Sequence, residues 1–196
     1  MTPFKAKTFA SILTPQPTIC VKCRERLKPE VRYWKVDGVK CMSLFRYSEG
    51  FASLIYQFKG CGDYELRSVF LEHVLVFLKS KYKNHIIVPA PSYYTHDEAR
   101  GFNHVISIYE QLDLPLVKAL IKTKDRKQTS LGPNGRKQIS KILQLQDGKP
   151  LFDKEVLFVD DVYTTGSTTR ACIALLKRCK PKKVDVLVLA KVPYQR

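Results

Sequence analysis

Apolar residues between positions 50 and 81 recur three and four apart. In EGFASLIYQFKGCGD, Phe51, Leu54, Ile55 and Phe58 fall on one helical face, and Gly60 and Gly62 close the run. Leu66, Val69, Phe70, Val74 and Phe77 repeat the pattern and predict a second helix over 64–81, with His73 on the same stripe as a packing or rim residue. Elsewhere the apolar residues are continuous. Residues 86–88 form a short branched-aliphatic run broken by Pro89 and Pro91, residues 156–159 and 184–189 form two more, and PLVKALIKT can hold a further strand. Helical patterns over 101–111 and 167–178 alternate with these runs. Strands that are apolar on both sides, alternating with helices, predict an α/β fold with a parallel sheet covered on both faces. Between them, KDRKQTSLGPNGRKQISK is polar, basic and turn-rich and reads as a long loop.

The run 156–159 ends in Asp160 and Asp161, followed by the small hydroxylated stretch TTGST. In a parallel sheet, ligands bind beyond the carboxyl ends of the strands, which is where these residues fall. Successive strand residues point to opposite faces, so the two carboxylates are not expected to share a proton. They are placed to accept hydrogen bonds from two neighbouring hydroxyls, or to hold Mg²⁺ through water. Thr164, Thr165, Ser167 and Thr168 then lie at a helix N-terminus, where free N–H groups and the helix dipole favour a phosphate, and Gly166 lets the backbone approach closely. Two acids for a diol and a loop for a phosphate describe a ribose 5-phosphate. A Walker loop would need a Gly-Lys-Ser/Thr ending, and a dinucleotide fingerprint three glycines; neither is present.

Charge adds a partner to this picture. The 196 residues carry 34 basic and 18 acidic side chains, a formal net charge of +16, which implies an anionic partner. Basic and aromatic residues interleave between Lys22 and Tyr47, including Arg32, Tyr33, Trp34, Lys35, Lys40, Phe45 and Arg46; cations can follow phosphates while exposed rings stack on unpaired bases, so single-stranded DNA is the expected polymer. The same rings could instead form a small core. The apolar stretch after Lys5 and Lys7 is too short for a signal-peptide core, and no run reaches a membrane span, so a soluble cytoplasmic protein is expected. There the six cysteines should be thiols or metal ligands. Cys20 and Cys23, in CVKC, have the spacing of a zinc knuckle, and Cys41 and Cys61 are the nearby cysteines that would complete a four-ligand site. A redox pair is the rival reading. Cys172 and Cys179 are about 10 Å apart along one helix face and read as packing residues.

Taken together, VLFVDDVYTTGSTTR resembles the phosphoribosyl pyrophosphate motif of type I phosphoribosyltransferases, and CVKC, EGFASLIYQFKGCGD, VPAPS, ARGFNH and KQTSL extend the resemblance to the ComF family over most of the chain. The resemblance implies a type I phosphoribosyltransferase fold over 50–196 behind a zinc-binding subdomain over 1–49. Asp160 and Asp161 would contact the ribose hydroxyls and Thr164 to Thr168 cradle the 5-phosphate, with Val162 and Tyr163 in the same motif. Ala90, Pro91 and Ser92 would lie near the pyrophosphate, Arg100 would add positive charge there, and Lys127, Gln128 and Arg136 would belong to a flexible loop. The chain departs from the family pattern at Ile139, where Asn is usual, and at His104, where Gln is usual. An enzyme of this class displaces pyrophosphate at the ribose C1 with Mg²⁺ held mainly by the ligand's own oxygens. No residue run here declares a pocket for an acceptor base. Two functions follow as alternatives: a factor in natural transformation, handling single strands on the cytoplasmic side beside other DNA-uptake proteins of the inner membrane, or a nucleobase phosphoribosyltransferase of salvage metabolism.

Overall fold

The computed structural model describes Leu27, residues 29–123 and residues 142–193. The first elements among the described residues are the hairpin strands β1 (Arg32–Val36) and β2 (Val39–Arg46). Asp37 and Gly38 form its turn with φ of 50° and 80°, the left-handed pair that a two-residue hairpin requires and that an Asp-Gly sequence supplies. Helix α1 (Glu49–Gly60) follows, with the Ser48 hydroxyl accepting from the Phe51 N–H at 3.2 Å, Glu49 in its first turn and Lys59 in its last. Then come α2 (Leu75–Lys81), β3 (His85–Pro89), α3 (Tyr94–Arg100), α4 (His104–Tyr109), β4 (Leu120–Lys122), β5 (Leu143–Leu145), β6 (Glu155–Tyr163), α5 (Ser167–Arg178) and β7 (Lys183–Lys191).

Five strands form one sheet in the order β1-β2-β7-β6-β3, parallel throughout except for β1, which runs antiparallel to β2. β4 and β5 make a separate two-stranded ribbon. Alternation along the strands divides the core. Leu157, Val159, Leu187 and Leu189 pack with Phe51, Ile55 and Phe58 of α1 and with Val105 and Ile108 of α4. Val156, Phe158, Val186 and Val188 point the other way, against Cys172, Ile173 and Leu176 of α5. Helix α5 spans the residues its periodicity predicts, 167–178.

Three expectations need correction. The boundary between 1–49 and 50–196 does not hold: β2 pairs with β7 from Lys40↔Asp185 to Arg46↔Lys191, so the hairpin belongs to the main sheet and not to a separate subdomain. The helix expected over 64–81 is broken into a 3₁₀ turn (Tyr64–Ser68), a run of turns and α2. The reason is that Val69, Phe70 and Leu71 are consecutive and all buried, which one face of a regular helix cannot achieve. His73, in the intervening turns, is exposed. Finally, β5 lies just beyond the long polar stretch and was not expected. No helix among the described residues is long and apolar enough to cross a membrane.

Because β2 is an interior strand, removing residues 1–46 should abolish cooperative thermal unfolding followed by circular dichroism. A self-sufficient unit over 50–196 would keep a sharp transition.

Candidate functional site

The C-terminal ends of β3 and β6 lie side by side, with Pro89 paired to Val159 and the Ala90 N–H donating to the Val159 carbonyl at 2.8 Å. This register brings the Ala90–Pro91–Ser92 turn next to Asp160 and Asp161. Ala90 is buried, while Pro91 and Ser92 border a cleft of about 330 Å³ that reaches Tyr94, Asp97 and Asn103.

The two aspartates differ in environment. Asp161 is buried, and its Oδ1 accepts from the Val162 N–H at 2.6 Å. Its Oδ2 accepts from the Lys59 ammonium at 2.6 Å and lies 3.3 Å from the His104 Nε2. Burial alone would raise the carboxyl, but the hydrogen bonds from His104 and Lys59 and the Lys59 charge hold it well below the usual carboxylate range. Asp160 goes the other way. Burial, then the charge of Asp161 and a side-chain hydrogen bond to it, push its carboxyl well above the usual range, against the pull of the Asp161 N–H that it accepts at 2.9 Å. Each carboxyl bends back to accept from the N–H of the next residue.

Lys59 and His104 are the functional neighbours that sequence reasoning missed. Lys59 reads as an ordinary cation in the last turn of a helix, and His104 only as a departure from a family pattern. Their partners fix them. The Arg100 guanidinium donates from Nε to the Lys59 carbonyl at 2.7 Å and from NH1 to the His104 Nδ1 at 3.0 Å. A guanidinium has no acceptor, so Nδ1 carries the lone pair and Nε2 carries the hydrogen that faces Asp161. Asp97, 3.5 Å from Arg100, accepts from the Asn103 amide at 2.7 Å, and the Asn103 Oδ1 caps α4 through the Ile106 N–H at 2.9 Å. Arg100 thus ties α1, α3 and α4 together.

Past the aspartates, Val162 packs partly buried on the α1 side and Tyr163 turns its ring into the other core, edge-on to Trp34 at 5.1 Å. Tyr163 contributes its backbone, not its side chain, to the loop. Thr164 and Thr165 are exposed, Ser167 and Thr168 are half-buried, and the Thr165 and Ser167 hydroxyls lie 2.9 Å apart. Gly166 has φ of 74°, and a Cβ there would overlap the Tyr163 hydroxyl. The loop therefore sits directly on Tyr163 and presents hydroxyls and the first N–H groups of α5 outward.

The four-cysteine zinc set fails on its described members. Cys41 is buried in β2 on the α5 face near the N-terminal ends of the strands; its thiol donates to the Val39 carbonyl at 3.5 Å, and burial pushes it up to about 11. Cys61 is exposed after α1, beside Lys59 and Arg100, at the opposite end and face of the sheet. The two cannot meet one ion. Cys20, Cys23, Lys127, Gln128, Arg136 and Ile139 lie outside the described residues, as does the predicted loop. Among the described residues no group of three or more His, Cys, Asp or Glu converges on a metal.

A sheet that places paired acids and a hydroxyl-lined helix N-terminus at its carboxyl edge is the arrangement of a phosphoribosyltransferase-type site. The phosphoribosyl transferase domain family matches residues 98–196, and the chain belongs to it. Over a longer span the chain is similar to Competence protein ComFC of Streptococcus pneumoniae, 28% identical over 91% of this chain and 77% of that protein. ComFC of Bacillus subtilis is 24% identical over 92% and 87%. Competence protein F of Haemophilus influenzae is 25% identical over 88% and 90%. The resemblance to the ComF family drawn from the motifs stands.

The aspartates should respond oppositely to substitution. Asp161 has a folded-state value below its unfolded one, so its contribution is complete above roughly pH 4 and is lost as the pH falls through the folded value. Asp161→Asn should therefore cost about 1–3 kcal/mol in urea unfolding at pH 7, with a smaller difference in acid. Asp160 has a raised value, so its unfolded form gains from ionising as pH rises past about 4; Asp160→Asn should be stabilising at pH 7. Gly166→Ala should cost about 1–3 kcal/mol by overpacking, and adding Tyr163→Phe should recover part of it.

Proposed function

We propose that this protein binds phosphoribosyl pyrophosphate at the carboxyl edge of its sheet and serves the handling of single-stranded DNA in natural transformation. The observation that carries the first half is the Asp160–Asp161 pair beside the Gly166 turn and the N-terminus of α5. Asp161 is saturated by Lys59 and His104 and holds the pair in place. Asp160 is the less buried of the two and is the carboxyl left to receive the ribose diol. Thr164, Thr165, Ser167 and Thr168 supply hydroxyls and N–H groups for the 5-phosphate, and Pro91 and Ser92 border the space for the pyrophosphate.

Mg²⁺ fits this site as an ion that enters with the ligand. The Asp161 oxygens are already engaged, so most of its coordination comes from pyrophosphate oxygens and water. When bound, it neutralises the leaving pyrophosphate. The second half rests on the names of the competence proteins to which the chain is similar and on the net charge of +16. Cytoplasmic action beside inner-membrane uptake proteins is part of this reading. Among the described residues Tyr94 is the aromatic side chain that lines the cleft at Ser92.

Calorimetric titration of phosphoribosyl pyrophosphate with Mg²⁺ is the test. Wild type should bind, and Asp160→Ala/Asp161→Ala should bind at least about tenfold more weakly, a change of about 1.4 kcal/mol. Absence of wild-type binding would sink the ligand assignment, and pyrophosphate release on adding free purines or pyrimidines would make the protein a salvage enzyme.

A further inference from the structure

The opposite end of the sheet carries a second cationic surface, roughly 20 Å from Asp161 along β6. There the N-terminal ends of β2 and β7 and the C-terminal end of α2 enclose a cleft of about 170 Å³. Lys40, Lys81 and Lys183 converge on it, together with Tyr33 and Tyr82. The carboxylate in its wall, Asp185, is already neutralised: it accepts from Lys183 at 2.6 Å and lies 2.9 Å from the buried His85 Nε2. Among the described residues neither Lys40 nor Lys81 has a carboxylate partner, so the cleft keeps two uncompensated ammonium groups.

Two further observations decide what such a cleft would hold. Tyr33 is 63% exposed and Phe77 46% exposed, and the Lys81 ammonium stands 5.6 Å from each ring centroid. Two open rings with a cation between them offer a base-stacking platform next to a phosphate anchor. Second, Lys183 also borders a neighbouring groove of about 360 Å³ that carries Lys177, Lys180 and Lys182. The acid of that groove, Asp37, is paired with Arg170 at 2.8 Å. Sharing Lys183, the cleft and the groove make a continuous cationic path. A single small anion would fill one of them; a flexible polyanion with a repeating charge and stackable faces fits both.

We propose that this basal path, from Tyr33 and Phe77 over Lys40 and Lys81 to Lys180 and Lys182, is where the protein docks single-stranded nucleic acid. The proposal rests on the DNA-handling reading above and adds to it a surface remote from the phosphoribosyl site. Each ring stacks on one base, the lysines take successive phosphates, and the Asp160–Asp161 edge stays open while the strand is bound.

Fluorescence anisotropy with a labelled 20-nucleotide oligothymidylate tests this on the full chain. Tyr33→Ala should weaken binding about 5- to 100-fold, as the loss of one stacking partner does. The triple substitution Lys40→Gln/Lys81→Gln/Lys182→Gln should lower the slope of log affinity against log salt by about 2, from roughly 0.7 per lost contact on a single strand. Both variants should melt like wild type, since the substituted groups are at the surface and Lys183, which holds Asp185, is kept. Phosphoribosyl pyrophosphate binding should be unchanged in both. If wild type binds the oligonucleotide and the variants match it in affinity and slope, the strand docks elsewhere and the proposal fails alone. If wild type does not bind at all, the DNA-handling reading fails with it. Equal displacement by polyglutamate would overturn nucleic acid as the occupant and leave a general polyanion path.

Discussion

One charge-assisted hydrogen bond organises the phosphoribosyl edge of this protein: Lys59 to Asp161, 2.6 Å long and joining residues 102 apart in sequence. A buried carboxylate at the end of a central strand is costly unless it is paired, and here the partner arrives from the last turn of α1. The chain then secures that partner in turn. The Arg100 guanidinium grips the Lys59 carbonyl and the His104 ring, so three helices are indexed to one oxygen of Asp161. With that charge fixed, burial and then the negative charge of Asp161 push the neighbouring Asp160 carboxyl well above the usual range. The asymmetry of the two aspartates is thus a consequence of what surrounds only one of them.

The parts of the molecule legible in the sequence are those where a local pattern meets no competing demand. α5 reads correctly because its apolar stripe, its start at Gly166 and its basic last turn all agree. β6 and β7 read correctly because a strand apolar on both sides has few alternatives, although both extend beyond their apolar cores. The segment after α1 misleads because Val69, Phe70 and Leu71 mimic part of a helical stripe while all three are needed in the core. The hairpin misleads differently. Its cysteine and basic residues suggest an independent module, whereas Met42, Leu44 and Phe45 are ordinary core residues of the main sheet. The site shows the same division. Asp160, Asp161 and the hydroxyl loop announce themselves by adjacency, but Lys59 and His104 act through partners distant in sequence, and no local spacing reveals them.

Both ends of the sheet use the same device with different outcomes. At the carboxyl edge, Asp161 absorbs Lys59 and His104 and becomes rigid. At the amino edge, Asp185 absorbs Lys183 and His85, which lowers the Asp185 carboxyl against the cost of its burial and lets a polar cluster sit beneath Tyr82. In each case a buried acid is satisfied by one lysine and one imidazole. The chain as a whole keeps a formal net charge of +16.

The place of β2 in the sheet has a consequence for how the chain reaches this structure. Its pairing with β7 joins positions about 145 residues apart, from Lys40↔Asp185 onward. Closing so long a loop is entropically slow, and a β6–β7 unit built around α5 can assemble first from nearby contacts. Until the hairpin arrives, β7 is a bare edge of almost unbroken apolar residues. During synthesis the hairpin emerges early and must wait for most of the chain before its partner exists. The late meeting of these two strands makes the half-built sheet the species most exposed to misassociation, and the stage at which a chaperone would matter most.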